Sequence, residues 1–406
     1  MTEPPTRTAA SVWLVLFATL MIQALVAMAL LTLPVVAPLV AQSLGVPVSW
    51  VGVYVAVVYA AAMVASLLSG AAVRRFGAIR LSQIGLGSCA LGLMLSAVPW
   101  LPAVAMGGAL IGLGYGPITP ASSHLLVRTT PSHRMSLVFS LKQTGVPLGG
   151  ALAGLIVPGL STWLGWQAAF LLVAAVTVLC LVLVQPLCRT LDADRDPDHA
   201  LSLGSGVLAP LRLVLGQRTL RVLALVSFLF SICQLSLVTY LVTWLNQDLA
   251  LSLVTAGVML GLAQAGGVVG RMTWGYVADR FLGAPRMLAL LGALIVCASI
   301  TIALLGPGTP VWAIMLPVIV LGASAIGWNG VYLAEVARQA PPGATGLATG
   351  GALTFTFLGV VVGPPAFGWL AGPLGSWSLA YATLAVPGVL CLAIMWARRD
   401  LFTPRG

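Results

Sequence analysis

Two cations stand apart from every other charge in this chain. Lys142 is the only lysine among 406 residues and lies in SLKQTGVPLGG (140–150). Arg271 lies in GRMTWGYVADRFLGAPR (270–286). Both sit inside apolar runs, where a charge facing lipid costs roughly 2.5–3.5 kcal/mol or more. A lysine offers a compact ammonium, and an arginine offers a planar fork that fits a carboxylate with two bonds. The nine acids are Glu3, Asp192, Asp194, Asp196, Asp198, Asp248, Asp279, Glu335 and Asp400. Only Glu335 touches an apolar run, near its end, so no acid stands beside the two cations. Such a pair wants an anion from outside the chain, and a carboxylate would serve. The alternative is that each side chain snorkels to the interface.

The elements that must position these residues follow from composition. Hydrophobic residues make up 60% of the chain and charged residues 7%, with a mean hydropathy of +1.06. A water-soluble surface cannot be built from so little charge, so the chain is read as an integral membrane protein. A span needs about 20 apolar residues. Twelve runs qualify, at 12–37, 48–70, 81–98, 102–127, 136–158, 166–187, 219–245, 253–277, 286–305, 311–335, 346–370 and 377–397. The first is too long for the apolar core of a cleaved signal. With the N-terminus inside, Arg7, Arg74, Arg75, Arg80, Arg128, Arg134, Arg189, Arg195, Arg212, Arg218, Arg221, Arg280, Arg286, Arg338, Arg398, Arg399 and Arg405 all fall on cytoplasmic segments, 17 of the 19 basic residues. The opposite loops hold none, which fits the preference of basic residues for the cytoplasmic side. The expectation is a multi-pass protein of the plasma (inner) membrane with both termini cytoplasmic. The remaining two basic residues are Lys142 and Arg271. At about 1.5 Å per residue they lie roughly 10 and 12 Å deep.

The polar stretch RTLDADRDPDHALSLGSG (189–206) divides the spans six and six. The expected organisation is a bundle at 1–188, a cytoplasmic linker at 189–218 and a second bundle at 219–406. The halves repeat. GAAVRRFG (70–77) ends the second span and GYVADRFLG (275–283) ends the eighth; LLVRTTPSHRMS (125–136) and EVARQAPPGATG (335–346) follow the fourth and tenth. Twelve spans, a central loop and GYVADRFLGAPR (275–286) together resemble the major facilitator superfamily over essentially the whole chain. The resemblance implies an all-α fold of two pseudo-symmetric six-helix bundles, a secondary transporter working by alternating access, and a monomer. It also implies that Asp279 and Arg280 pair with nearby helix ends, including Glu335 and Arg338, to latch the cytoplasmic side. The first half departs from that pattern. Arg74 replaces an aspartate, and Leu125 stands opposite Glu335. The second-half latch is therefore expected to carry more of the closing energy, with Arg74 orienting its loop and Asp279→Asn disturbing the equilibrium more than Arg74→Ala. Gly108 stands near the place of the family's span-four arginine, which puts proton antiport on that scheme in doubt. The run Arg271-Met-Thr-Trp-Gly275 is similar to the monocarboxylate and oxalate carrier branches, which implies that Arg271 holds a substrate carboxylate.

Polar residues that could complete a site with Lys142 and Arg271 are Gln143, Gln23, Tyr115, Thr119, Gln234, Tyr240, Gln264, Trp328 and Asn329; each could equally be a helix-packing contact. The glycines of GVPLGGALAG (145–154) and GVVVGPPAFG (359–368) allow close helix approach, and Pro147, Pro364 and Pro365 can kink it. His124 reads as interfacial. The six cysteines read as packing residues, and no cofactor or metal is implied. Neither HExxH, a GxSxG elbow nor a Walker A loop is present, which argues against an enzyme. The net charge of +10 reports topology, not nucleic-acid binding. The favoured reading is a transporter of a small organic anion, with a proton or a counter-anion as coupling partner left open. The alternative is an efflux transporter for lipophilic drugs or metabolites.

Overall fold

The computed structural model describes residues 12–131, 134–198, 208–341 and 344–402. Glu3, Arg7, His133, His199, Arg405 and positions 199–207 of the linker lie outside them. The described residues are helical, with no strand, and twelve segments are long and apolar enough to span a bilayer. They are α1 (Val12–Leu44), α2 (Trp50–Phe76), α3 (Ala78–Ser96), α4 (Leu101–Thr129), α5 (Leu141–Leu164), α6 (Trp166–Leu191), α7 (Arg218–Gln247), α8 (Leu253–Leu282), α9 (Ala284–Ala303), α10 (Val311–Gln339), α11 (Thr345–Leu374) and α12 (Trp377–Ala397). An even number of crossings puts the start of α1 and the end of α12 on one face, called here the terminal face; the other is the distal face. A separate short helix, Leu208–Gly216, precedes α7.

The repeat seen in the sequence appears as matched turns. Gly77 joins α2 to α3 with φ of 88°, and Gly283 joins α8 to α9 with φ of 75°. That left-handed region is open to glycine without steric cost, so each Asp- or Arg-bearing loop can reverse direction in one residue.

Within the first six spans, α1 packs on α5 and α3 on α4; within the last six, α7 packs on α11 and α9 on α12. The two sets meet through α5 against α8 and α2 against α11. Lipid tails are as apolar as leucine, so close backbone approach rather than a hydrophobic effect holds such helices together. Gly154 of α5 and Gly257 of α8 supply it: a Cβ on Gly154 would lie 2.5 Å from the Gly257 carbonyl.

Several spans are interrupted. Pro34 opens a 3₁₀ turn at Pro34–Val36 in α1. The helix Met135–Gln143 ends at Thr144 and restarts as Gly145–Leu164. In α10, Val311–Ala325 gives way to Asn329–Gln339. A break leaves backbone carbonyls without an intrahelical donor. In a bilayer that is tolerable only where protein or a polar cavity meets them.

On the distal face Tyr240 of α7 donates to the Ser49 carbonyl at 2.8 Å and to the Pro364 carbonyl at 3.0 Å. Its ring stacks on Trp377, with centroids 5.0 Å apart. Tyr240 thus ties the α1–α2 loop to α7 and α11, and its phenol is engaged by these two carbonyls rather than by either cation.

Losing a buried hydrogen bond costs about 1 kcal/mol. Tyr240→Phe is therefore expected to raise the fraction open at the distal face roughly fivefold. The readout is the labelling rate of Ser49→Cys by a membrane-impermeant thiol reagent in a cysteine-free background. An unchanged rate would show that the phenol does not hold this face.

Candidate functional site

Lys142 occupies the last turn before the break in α5. Its side chain is 1% exposed, and its Nζ finds no hydrogen-bond acceptor among the described residues. A proline five residues on explains how Arg271 bonds the neighbouring backbone. Pro147 has no N–H, so it cannot donate to the carbonyl of Gln143, four residues earlier. That carbonyl instead accepts from the Arg271 guanidinium across the α5–α8 contact, Nη1 to O at 3.1 Å. The break in α10 offers a second carbonyl, and Arg271 Nη2 meets Ile326 O at 3.4 Å. Arg271 Nε is buried without a partner among the described residues. The arginine fork expected for a substrate is thus partly engaged by backbone, and Lys142 is the less committed cation. Gln143 contributes its carbonyl to this arrangement.

Neighbouring spans bring further groups. Gly145, three residues after Lys142, lies against Gln23 of α1, where an added Cβ would come within 2.9 Å of the Gln23 Cβ. Gln23 is fully buried; its Oε1 accepts from Thr119 of α4 at 3.1 Å, while its Nε2 has no partner among the described residues. Tyr115 stands within electrostatic reach of Arg271 and meets Tyr59 edge to face at 5.9 Å. Tyr59 in turn lies 6.5 Å from the Phe357 ring of α11. The structure therefore gathers Lys142, Gln143, Arg271, Gln23, Thr119 and Tyr115 into one region. Its aromatic side is Tyr59, Tyr115 and Phe357. Sequence reasoning missed Tyr59 and Phe357, because a single aromatic residue in an apolar run looks like any other packing residue.

Of the other candidates, Trp328 and Asn329 lie between Gly327 and Gly330, two glycines packed against Arg271. Gln234 on α7 accepts from Trp328 Nε1 at 2.9 Å and from Asn329 Nδ2 at 3.3 Å. Those three residues bond one another within the last six spans, with Trp328 stacked on Phe230 at 5.2 Å. Gln264 fills the space beside Gly150 at the α5–α8 contact. Among the described residues no group of three His, Cys, Asp or Glu side chains could hold a metal.

The latch residues sit on the terminal face. Asp279 and Arg280 lie in a π-helical turn, Ala278–Leu282, that ends α8. Arg338 of α10 bonds Asp279 at 3.4 Å and Glu335 at 3.4 Å. Glu335 is buried and also accepts from Gln339 at 2.8 Å. Arg280 and Arg74 lie on the exposed surface. All these pairings are within the last six spans, so they brace α8 against α10.

The first half recovers its missing acids from the linker. Asp192 receives the backbone N–H of Ile79 and of Arg80, each at 2.8 Å, at the N-terminus of α3. Asp194 pairs with Arg128 and, at 2.8 Å, with His124, both on the last turns of α4. Burial pushes the Asp192 carboxyl up, against the pull of those two amides. Burial acts on Asp194 in the same sense, but the bonds to His124 and Arg128 outweigh it and hold that carboxyl below its ordinary value. The sequence placed these acids in a linker, and no local spacing ties position 194 to position 128.

Comparison with known proteins agrees with this architecture. The sequence model of the Major Facilitator Superfamily matches residues 12–351. The gentisate transporter of Corynebacterium glutamicum is 28% identical over 70% of this chain and 65% of its own length. The benzoate transport protein of Acinetobacter baylyi is 23% identical over 72% of this chain and 67% of its own. The chain thus matches about two thirds of the length of these relatives. Both are transporters, not enzymes. Among solved structures, a nucleoside transporter superposes with a TM-score of 0.78 at 16% identity, over 96% of this chain and 100% of that one. A bacterial homolog of the human lysosomal transporter Spinster, inward-facing and occupied, gives 0.77 at 14% over 98% of each chain. At such identities these two speak for the fold alone.

The burial of the latch residues sets an order of effects. Asp279 is 71% exposed on its side chain, and exposed ion pairs contribute about 0–1 kcal/mol. Glu335 is itself buried, with 6% of its side chain exposed, and hydrogen bonds to a charged group such as its carboxylate contribute about 1.5–3 kcal/mol. Glu335→Ala is therefore expected to lower the melting temperature of the detergent-purified protein clearly more than Asp279→Asn. A larger drop for Asp279→Asn would overturn that order.

Proposed function

The chain belongs to the Major Facilitator Superfamily, and from that premise we propose that it moves a small organic acid, of the aromatic carboxylate class, across a membrane by alternating access. One observation carries this reading. On α1, α5 and α8, spans brought together by Gly145 against Gln23 and by Arg271 on the Gln143 carbonyl, three buried donors have no acceptor among the described residues: Gln23 Nε2, Lys142 Nζ and Arg271 Nε. A site made of donors fits a group made of acceptors, and an ionised carboxylate is that group. It would also neutralise charge that an apolar span bears at a cost. The rings of Tyr59, Tyr115 and Phe357 offer an edge-and-face surface for the flat remainder of the molecule, in keeping with relatives named for gentisate and benzoate.

In this reading Lys142 takes the carboxylate, Arg271 shares it through its unengaged N–H groups, and Gln23 donates to a further oxygen of the substrate. Binding neutralises the cations, which lowers the cost of closing the spans around them. The chain works as a monomer of two six-span bundles. The terminal face is cytoplasmic and the membrane is the plasma (inner) membrane, as the arginine distribution supports. Coupling is to a proton or a counter-anion.

Ligand-induced thermal stabilisation of the purified protein tests this. The panel is benzoate, hydroxybenzoates, aliphatic mono- and dicarboxylates, inorganic anions and a lipophilic cation. Bonds to charged groups contribute about 1.5–3 kcal/mol, so Lys142→Gln and Arg271→Gln are each expected to weaken binding of the preferred carboxylate roughly ten- to hundredfold. Tyr59→Ala and Phe357→Ala are expected to narrow the preference for aromatic over aliphatic acids. Stabilisation by the lipophilic cation, unchanged in all four variants, would replace this reading with drug efflux.

A further inference from the structure

Gln234, Trp328 and Asn329 hold one another by two hydrogen bonds, and the direction of those bonds fixes which amide atoms are left over. An indole N–H only donates, so the atom that meets Trp328 Nε1 at 2.9 Å is the Gln234 carbonyl oxygen. The same oxygen meets Asn329 at 3.3 Å, so the Asn329 atom facing it is the amide nitrogen. Two donors fill the two lone pairs of the Gln234 oxygen. What is left over is a donor, Gln234 Nε2, beside an acceptor, Asn329 Oδ1. The anchor of this arrangement is rigid. Trp328 is fully buried, stacked on Phe230 with centroids 5.2 Å apart and packed on Tyr332 at 5.0 Å.

The pair adjoins the proposed carboxylate site. Asn329 begins the second piece of α10, after the break whose Ile326 carbonyl meets Arg271. On either side of it Gly327 and Gly330 pack on Arg271; an added Cβ would lie 3.0 Å from its backbone nitrogen and 3.6 Å from its Cγ. Gln234 lies midway along α7. Both amides are half-buried, although the Trp328 they surround is not exposed at all. An amide turned to hydrocarbon at that depth is costly, so their open side belongs to the space between the spans.

We propose that Gln234 and Asn329 read a hydroxyl on the ring of the substrate, which makes the preferred acid a hydroxylated aromatic carboxylate. This rests on the transport reading, in which Lys142 and Arg271 take the carboxylate. A phenolic hydroxyl both accepts and donates. Its oxygen accepts from Gln234 Nε2, and its proton goes to Asn329 Oδ1. An ionised second carboxylate has no proton to give, so it sets acceptor against acceptor at Asn329. A bare ring edge leaves both amides unpaired, which is how a polar site rejects an analogue that lacks one hydroxyl. The cations alone treat these three acids alike; the amide pair separates them.

Isothermal titration calorimetry of the detergent-purified full chain tests this with benzoate, the three monohydroxybenzoates and a benzenedicarboxylate. One monohydroxybenzoate is expected to bind roughly tenfold or more tightly than benzoate, and the dicarboxylate more weakly than that acid. Asn329→Ala and Gln234→Met are each expected to cut the ratio of hydroxybenzoate to benzoate affinity about fivefold. Asn329→Ala leaves the Trp328–Gln234 bond in place, so it serves if Gln234→Met loses its fold. No preference for any hydroxybenzoate in the unaltered protein would overturn the proposal. So would an equal fall in both affinities in Asn329→Ala, because the amides would then be structural. Lys142→Gln reports on the carboxylate separately, with benzoate and hydroxybenzoate expected to weaken by the same factor. Benzoate binding that depends on Lys142, with no hydroxyl preference, overturns the hydroxyl reading alone. Binding of no aromatic acid overturns both.

Discussion

A positive charge inside an apolar span must meet acceptors, and the middle of this molecule is arranged by that requirement. Helix breaks provide the acceptors. Pro147 cannot donate to the Gln143 carbonyl, and the break in α10 frees Ile326; Arg271 takes both. The arginine is thereby a structural strut between α5, α8 and α10 as well as a residue with donor capacity to spare. Lys142 has no such backbone partner. In the proposed reading a substrate carboxylate supplies the acceptor that Lys142 lacks among the described residues.

Much of this was legible in the sequence, because membrane solvation imposes strong local signals. Span length and the repeat of Gly77 and Gly283 are set by the bilayer and by single-residue turns, so the twelve helices could be placed, with ends up to seven residues off. Lys142 and Arg271 stood out because a charge in an apolar run is costly wherever it lies. What could not be read was which groups meet across helices. Tyr240 looked like a member of the site, yet it faces Ser49 and Pro364. Tyr59 and Phe357 stood out in no way from their apolar runs, yet Tyr59 meets Tyr115 on one side and Phe357 on the other. Helix periodicity gives the face of a residue relative to its own neighbours, not its depth relative to another span.

The linker shows the same limit from the other side. Four aspartates in a polar stretch read as solvated surface, which is the ordinary fate of such residues. Here Asp192 and Asp194 meet the two half-motifs that had lost their own acids, more than sixty residues away in sequence. Charge balance is kept at the level of the folded bundle, and local motif comparison registers only the loss.

The phenol of Tyr240 has one proton and two carbonyls to share it, Ser49 from the first six spans and Pro364 from the last six. Tyr240 itself belongs to the last six. When the distal face parts, the proton can follow Pro364 and only the Ser49 carbonyl must find water. A carbonyl at a loop is easily hydrated, whereas a stranded buried hydroxyl is not. The clasp can therefore strengthen the closed form without placing an unpaired donor on the route out of it. Its contribution falls on the equilibrium between conformers more than on the rate of their exchange.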